Sequence, residues 1–311
     1  MHAFEQIVHN QKKRRRVISG KRDFLGYGET VPDVRWPQRA RVAVSLVLNF
    51  EEGAEFAVGD GDLVNESVYE VDALQEGVDP CIQSHFEYGT RAGYRRIAAL
   101  LAAYDAPCTV SACARAVERS PWLARHAVAQ GHEIAAHGYR WQSHAGMSEA
   151  QERDVIRRTV AAIEQTVGQR PVGWHTRSSP SVNTRRLLIE EGFLYDSDAY
   201  NDDMPFTVPQ HPGAYVVVPY AFDTNDMQFQ HTDRFATAAS FSEYVCDAYD
   251  WLYKEGADQP RMLSIGLHLR MIGRPGRIAA LDTILNHMKA KGGAWIATRE
   301  QIARHWLDAI A

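Results

Sequence analysis

The segment Arg41-Val42-Ala43-Val44-Ser45-Leu46-Val47-Leu48-Asn49-Phe50-Glu51-Glu52-Gly53 decides the fold. From Arg41 to Phe50 it is nearly unbroken in apolarity and rich in β-branched residues. A strand open to water on one face alternates apolar and polar positions, whereas one covered on both faces does not. The segment therefore reads as a buried strand of a parallel sheet flanked by helices. It stops at two adjacent carboxylates, Glu51 and Glu52, with Gly53 free to turn the chain.

Downstream, helical and strand patterns alternate. Residues 92–104 read as a helix with Ile97, Leu100, Leu101 and Tyr104 on one face, and residues 108–112 as a short strand. Residues 121–130 are helical and 133–136 extended. Ser148 and Gln151 form a capping box for a helix reaching Val167, striped by Ile156, Val160 and Ile163. Residues 171–175 form a strand, Asn183 caps a helix closed by Gly192, and residues 215–219 form another strand. Ser240 and Glu243 open a helix, residues 262–269 form a strand, and Pro275 sits in the first turn of the next helix. A strand over 294–297 and a helix over 301–310 finish the chain. Strands alternating with helices pair in parallel through right-handed crossovers, which gives an α/β barrel or a doubly wound sheet. With no internal repeat and no low-complexity linker, residues 39–311 read as one domain and residues 1–38 as an irregular N-terminal arm. The polar stretch from Gly53 to about Gly89 is too long for a simple connection and reads as a lid or subunit contact.

Composition narrows the function. The chain has 311 residues, 45% apolar and 23% charged, so a sizeable core is expected. A formal net charge of −5 argues against general nucleic-acid binding. No apolar run is long enough to span a bilayer, and the first residues lack a signal-peptide layout, so a cytoplasmic protein without a membrane partner is expected. Cys81, Cys108, Cys113 and Cys246 form no CxxC pair and read as reduced thiols. The basic run Lys12-Lys13-Arg14-Arg15-Arg16 reads as a solvated extension, with a targeting signal or anion-binding arm as the alternative.

In parallel α/β folds, ligands meet the carboxyl ends of the strands. That rule selects Glu51-Glu52, the run His137-Gly138-Tyr139-Arg140-Trp141, the run Trp174-His175-Thr176-Arg177, and Leu267-His268-Leu269-Arg270. Singly, paired glutamates are usually a solvated loop and a lone histidine usually a satisfied core residue. Together they supply what acid–base hydrolysis needs. A carboxylate can deprotonate water, a histidine can protonate a leaving atom, and an arginine can hold an oxyanion.

The order of these motifs resembles the NodB-type polysaccharide deacetylases, from about Arg41 to Leu307. Glu51-Glu52 stands where that family has paired aspartates. Gly131-His132-Glu133-Ile134-Ala135-Ala136-His137 matches its Gly-His-Glu-Ile-x-x-His run, and Leu267-His268 its late histidine segment. The resemblance implies a distorted (β/α)7-type barrel. In the family a divalent metal such as zinc is held by the second acid and two histidines. Here Trp141 stands in place of the second histidine, and an indole N–H donates but cannot coordinate. Glu52 and His137, with His144 as a possible substitute, make a poor set where catalytic zinc takes three protein ligands, so no metal or other cofactor is expected.

Longer runs are similar to the metal-independent allantoinase branch of that family. They include Arg22-Asp23-Phe24-Leu25-Gly26-Tyr27-Gly28, Asp223-Thr224-Asn225-Asp226-Met227 and His268-Leu269-Arg270-Met271-Ile272-Gly273-Arg274-Pro275-Gly276-Arg277. Residues 174–182 and 54–83 depart from that branch's pattern. The resemblance implies a homo-oligomeric hydrolase, dimer or tetramer, acting on a non-peptide C–N bond of a small cyclic amide: allantoin of purine catabolism, a related hydantoin or a cyclic imide. Glu51 is then the general base and His268 the general acid, with Glu52 and His137 positioning water and substrate. Arg140, Trp141, His175, Arg177 and Arg270 are the candidates to bind the substrate, and Asn225 and Asp226 to hydrogen-bond its ring. Two alternatives stay open: a metal-dependent deacetylase of N-acetylated sugars, and a non-catalytic homologue that binds a metabolite.

Overall fold

β1 (Val42–Phe50) is buried at every position because it has neighbours on both edges. One edge pairs in parallel with β8 (Arg261–His268) along most of its length. The other forks: Val47 to Phe50 pair with β2 (Thr109–Ala112), and Val42 to Val44 with β9 (Ala294–Ile296). From β2 the sheet continues in parallel through β3 (Glu133–Ala136), β4 (Gly173–Trp174), β5 (Tyr195–Asp196) and β7 (Val216–Val217). It ends in β6 (Phe206–Thr207), antiparallel to β7. The result is a curled α/β half-barrel. β5 and β6 have two residues each, too few for any periodicity to reveal them.

The computed structural model describes residues 22–29, 31–67, 75–208, 211, 214–230 and 234–310; the basic run at 12–16 lies outside them. The chain divides into the units Met1–Asp33 and Val34–Ala311. In the first, Asp23 accepts from the N–H groups of Leu25 and Gly26 to close a local turn. In the second, Val34 and Trp36 are core residues, and Trp36 Nε1 donates to Arg261 O at 2.8 Å. Packing of the second unit thus begins inside the stretch that patterning gives to the arm.

The helices follow local chemistry. α1 (Pro80–Tyr88) begins where the Asp79 side chain accepts from Cys81 and Ile82 N–H and proline fills the first turn, although patterning alone leaves 53–89 irregular. A π turn, Gly89–Gly93, carries it into α2 (Tyr94–Ala103). α3 (Ala114–Arg119) and α4 (Pro121–Ala129) precede β3. α5 (Glu149–Val167) carries the expected Ser148–Gln151 capping box. α6 (Thr184–Glu190) gets no cap bond from Asn183, contrary to expectation. α7 (Ala238–Glu255) starts earlier than expected, because Thr237 is the cap and Ser240 its partner. α8 (Pro275–Lys291) and α9 (Arg299–Ile310) complete the chain. No helix among the described residues is long and apolar enough to cross a membrane.

Between β7 and β8 the described residues form only an isolated bridge, Asn225 to Gly266. Thr224 bonds β8 there, accepting from Gly266 N–H at 2.9 Å and donating to Ser264 O at 2.6 Å, and Arg299, 2% exposed, bridges the rest of the seam. Its Nη1 donates to Ser197 Oγ at 3.0 Å and Val218 O at 2.5 Å, and its Nη2 to Pro219 O at 3.1 Å and to Ser264 Oγ. One side chain thus links the residues that follow β5 and β7 to β8. Arg299→Met orphans these buried acceptors at about 1–3 kcal/mol each, so unfolding stability should fall by at least ~2 kcal/mol in urea denaturation. An unchanged urea midpoint and slope would show that the seam does not depend on the arginine.

Candidate active site

Parallel pairing brings the ends of β1, β3, β4 and β8 to one rim, and with them Glu51, Glu52, His137, His175 and His268. Glu51 is at the centre and 1% exposed. Its Oε1 lies 3.4 Å from His137 Nε2 and 3.5 Å from His268 Nε2, and its Oε2 lies 2.8 Å from Arg270 Nη1. His137 Nδ1 lies 2.6 Å from His175 O, a carbonyl that can only accept, so Nδ1 carries the proton and Nε2 faces the carboxylate. His268 Nδ1 lies 2.6 Å from Asp226 Oδ1. The rings of His137 and His175 stack with centroids 4.9 Å apart, and His175 Nδ1 has no partner among the described residues.

The electrostatics differ sharply between neighbours. Burial, the largest influence on Glu51, would raise its pKa. Arg270, His268 and hydrogen bonds from His137 and His268 together hold it well below the ordinary carboxylate range. At Glu52 burial wins: with Glu51 adding repulsion, it rises to about 7 despite Arg270. Burial alone would lower His268, but Glu51 and Asp226 raise it to about 9. His175, buried beside His137, is pushed well below the ordinary histidine range. Near neutral pH the site therefore holds an ionised Glu51 opposite a protonated His268.

Several residues expected to bind substrate are already engaged. Arg140 pairs in bidentate fashion with Asp62 at 2.6 Å and donates to Glu55 O. Arg177 pairs with both oxygens of Glu66, donates to Trp141 O at 2.8 Å, and lies 3.6 Å over the Trp141 ring. These two pairs fasten segment 54–66 to the loops after β3 and β4, which explains why neither guanidinium is free for a ligand. Arg270, 1% exposed, is turned onto the two glutamates. Asp226 accepts from His268 N–H, His268 Nδ1 and Ile272 N–H, so it holds the histidine rather than a substrate ring. Asn225 donates to the Tyr220 hydroxyl at 3.3 Å and accepts from Met227 N–H. Glu52 accepts from Glu51 N–H and from Arg270 N–H, so it orients the loop. Trp141 is 8% exposed and packs edge-on to Phe86. Three glycines allow the close fit behind the acid pair: a Cβ at Gly89 would strike the Glu52 carboxylate, and one at Gly93 or Gly273 would strike Leu269 O.

His144 does not join the rim. It is fully buried, with Nδ1 3.0 Å from Glu152 Oε1, and Glu152 also accepts from Ser181 and Thr184. This cluster ties α5 to the start of α6, so His144 is not a substitute metal ligand. Among the described residues no group of three or more histidine, cysteine, aspartate or glutamate side chains is arranged to hold a metal ion. With Trp141 lacking a lone pair and a guanidinium against the acid pair, these residues do not fit a catalytic metal.

Sequence reasoning did not single out Tyr220, Tyr200 or Phe86. Tyr220 receives Asn49 Nδ2 at 3.0 Å and packs 4.5 Å from the His175 ring, and Tyr200 reaches His175 Nε2 at 3.5 Å. The only signal for Tyr220 is its place just beyond a strand end. Two clefts open nearby, one reaching the cluster only through the tyrosines beside His175 and the other through Glu52. One of about 640 Å³ is bounded by Tyr200, Tyr220, Phe222 and Trp251, and the other, about 530 Å³, by Glu52, Glu55, Gln83 and Arg119.

The chain matches the polysaccharide deacetylase family profile over residues 75–190. A Schizosaccharomyces pombe protein assigned to the polysaccharide deacetylases is 36% identical over 313 residues, covering 92% of this chain and 96% of its own. The crystal structure of PuuE allantoinase superposes with a TM-score of 0.88 at 46% identity, covering 93% of this chain and 98% of that one. A Pseudomonas aeruginosa crystal structure assigned as a polysaccharide deacetylase gives the same TM-score of 0.88 and 46% identity, over 92% of this chain and 98% of that one.

The raised His268 predicts a pH signature. Its proton stabilises the fold fully below the ordinary histidine value of about 6.5, and that contribution is lost as pH climbs through about 9. An NMR titration should place the imidazole midpoint near 9, and Asp226→Asn should bring it down toward about 6.5. A wild-type midpoint already at the ordinary value would remove Asp226 and Glu51 as its electrostatic supports.

Proposed function

The chain belongs to the polysaccharide deacetylase family, and from that premise we propose that this hydrolase opens a C–N bond of a small cyclic amide, with allantoin the first candidate. The observation that carries the reading is the pairing of an ionised Glu51 with a protonated His268 across 3.5 Å, in a site whose cation is a side chain. The 46% identity to PuuE allantoinase over 93% of this chain supports the choice of substrate.

The chemistry follows from those protonation states. Glu51 Oε1 takes a proton from water as the water oxygen attacks the ring carbonyl carbon, with His137 Nε2 orienting the water. As the tetrahedral intermediate collapses, the C–N bond breaks and its electron pair goes to nitrogen. His268 Nε2 supplies the proton that makes this nitrogen a good leaving group. Asp226, on the far side of the imidazole, steadies the positive ring and fixes its orientation, as a buried carboxylate does for a catalytic histidine elsewhere. Glu51 is a weak base with a low pKa, so most of its advantage comes from position.

Hydrolysis of allantoin, hydantoin, dihydropyrimidines, succinimide and N-acetylglucosamine oligomers, each with and without chelator, tests the reading. Turnover of a cyclic amide that survives chelation is expected, and Glu51→Gln should lower kcat by on the order of 10²–10⁴. Turnover of only the acetylated sugar, and only with added metal, would replace this reading with the metal-dependent deacetylase.

A further inference from the structure

The surroundings of Arg270 are unlike those of the other arginines near the site. Its Nη1 reaches both members of the acid pair, 2.8 Å from Glu51 Oε2 and 3.5 Å from Glu52 Oε1. Its guanidinium lies against two aromatic rings that meet edge to face, 4.5 Å from the Phe86 centroid and 5.1 Å from that of Trp141. Its own backbone N–H donates to Glu52 at 3.2 Å, so chain and side chain address the same carboxylate. A guanidinium stacked and ion-paired in this way has little freedom to leave, and it stays charged at any pH a protein meets.

We propose that the Arg270 guanidinium is the permanent counter-cation of the Glu51–Glu52 pair and that, by filling that place, it makes the site refuse a divalent metal ion. The donors around Glu51 come near a ligand set without forming one, and His268 must first give up its Nε2 proton. Glu51 Oε1 lies 3.4 Å and 3.5 Å from two histidine Nε2 atoms, so two imidazoles and the carboxylate are the nearest donors a dication would find. Each imidazole turns its Nε2 inward because its Nδ1 is engaged, on His175 O and on Asp226. What an entering dication meets is a fixed positive charge on the carboxylates it needs, in surroundings too dry to screen the repulsion. Trp141 offers no lone pair, and the guanidinium beside it is held independently by Glu51, Glu52 and the Phe86 ring. The site's charge balance is therefore independent of metal supply. This ion exclusion does not depend on which amide is the substrate.

Titration of the purified full chain with Co²⁺, read by equilibrium dialysis and by visible ligand-field absorption, tests it without any substrate. The wild type should take up no Co²⁺ with a histidine-ligand spectrum. Arg270→Met, whose apolar side chain can still pack on Phe86 and Trp141, should bind Co²⁺ on the order of 100-fold more tightly, since the opposing charge is gone. Adding Glu51→Gln should abolish that binding. Trp141→His in the otherwise native chain should still refuse Co²⁺, because the guanidinium remains; this variant decides the matter if Arg270→Met does not fold. The proposal is overturned by wild-type Co²⁺ uptake that Glu51→Gln removes, by uptake in Trp141→His, or by a folded Arg270→Met that binds no more tightly than the wild type.

Discussion

Two carboxylates on adjacent residues, both taken almost wholly out of water, cannot both stay ionised without a counter-charge. The active-site rim is arranged around that requirement. β1 delivers Glu51 and Glu52 together at its end, and β8 returns beside it to deliver Arg270 two residues past His268. The guanidinium packs against aromatic rings that α1 and the loop after β3 provide, Phe86 and Trp141. The loop that carries Arg270 needs an anchor, and Asp226 provides it through the N–H groups of His268 and Ile272. Asp226 thus fixes both the imidazole and the backbone leading to the guanidinium.

The same constraint divides labour between two identical side chains. Glu51 faces Arg270 and two imidazoles and stays ionised, while Glu52 rises to about 7 because burial outweighs the help it gets from the same arginine. Environment rather than residue type separates a group suited to receive a proton from one that orients a loop. Asp226 and His268 repeat the pattern: the carboxylate is spent on holding, and the imidazole is left charged and facing inward.

How much of this the sequence discloses depends on whether the signal is local. β1 is legible because a short, unbroken apolar run rich in β-branched residues suits a strand covered on both faces, and α5 because its capping box is four residues of contiguous chemistry. The rim residues are legible as strand-end positions, and the polysaccharide deacetylase resemblance supplies their order. What escapes is pairing across the fold. Asp226 is 42 positions from the histidine it holds, so as a sequence feature it looks like a ring-binding acid. Arg140 and Arg177 look like ligand binders until Asp62 and Glu66 are found against them. His144 looks like a spare metal ligand until Glu152 claims it. α1 is missed for another reason: its start rests on a single Asp-Pro step at the end of a long polar stretch.

The corner where the π turn meets the loop after β8 is built from residues that have no side chain to contribute. Gly89 leaves room for the Glu52 carboxylate, and Gly93 and Gly273 let two stretches of backbone touch. Because Glu52 in turn touches Arg270, an added methyl group at position 89 reaches the guanidinium through one intermediary. Evolutionary drift at this corner is therefore constrained in concert: a lineage cannot exchange one of these glycines and keep the other surfaces as they are. In a saturation survey scored for turnover, the least tolerant positions would include three residues incapable of chemistry, and a reader of that survey could mistake empty space for catalysis.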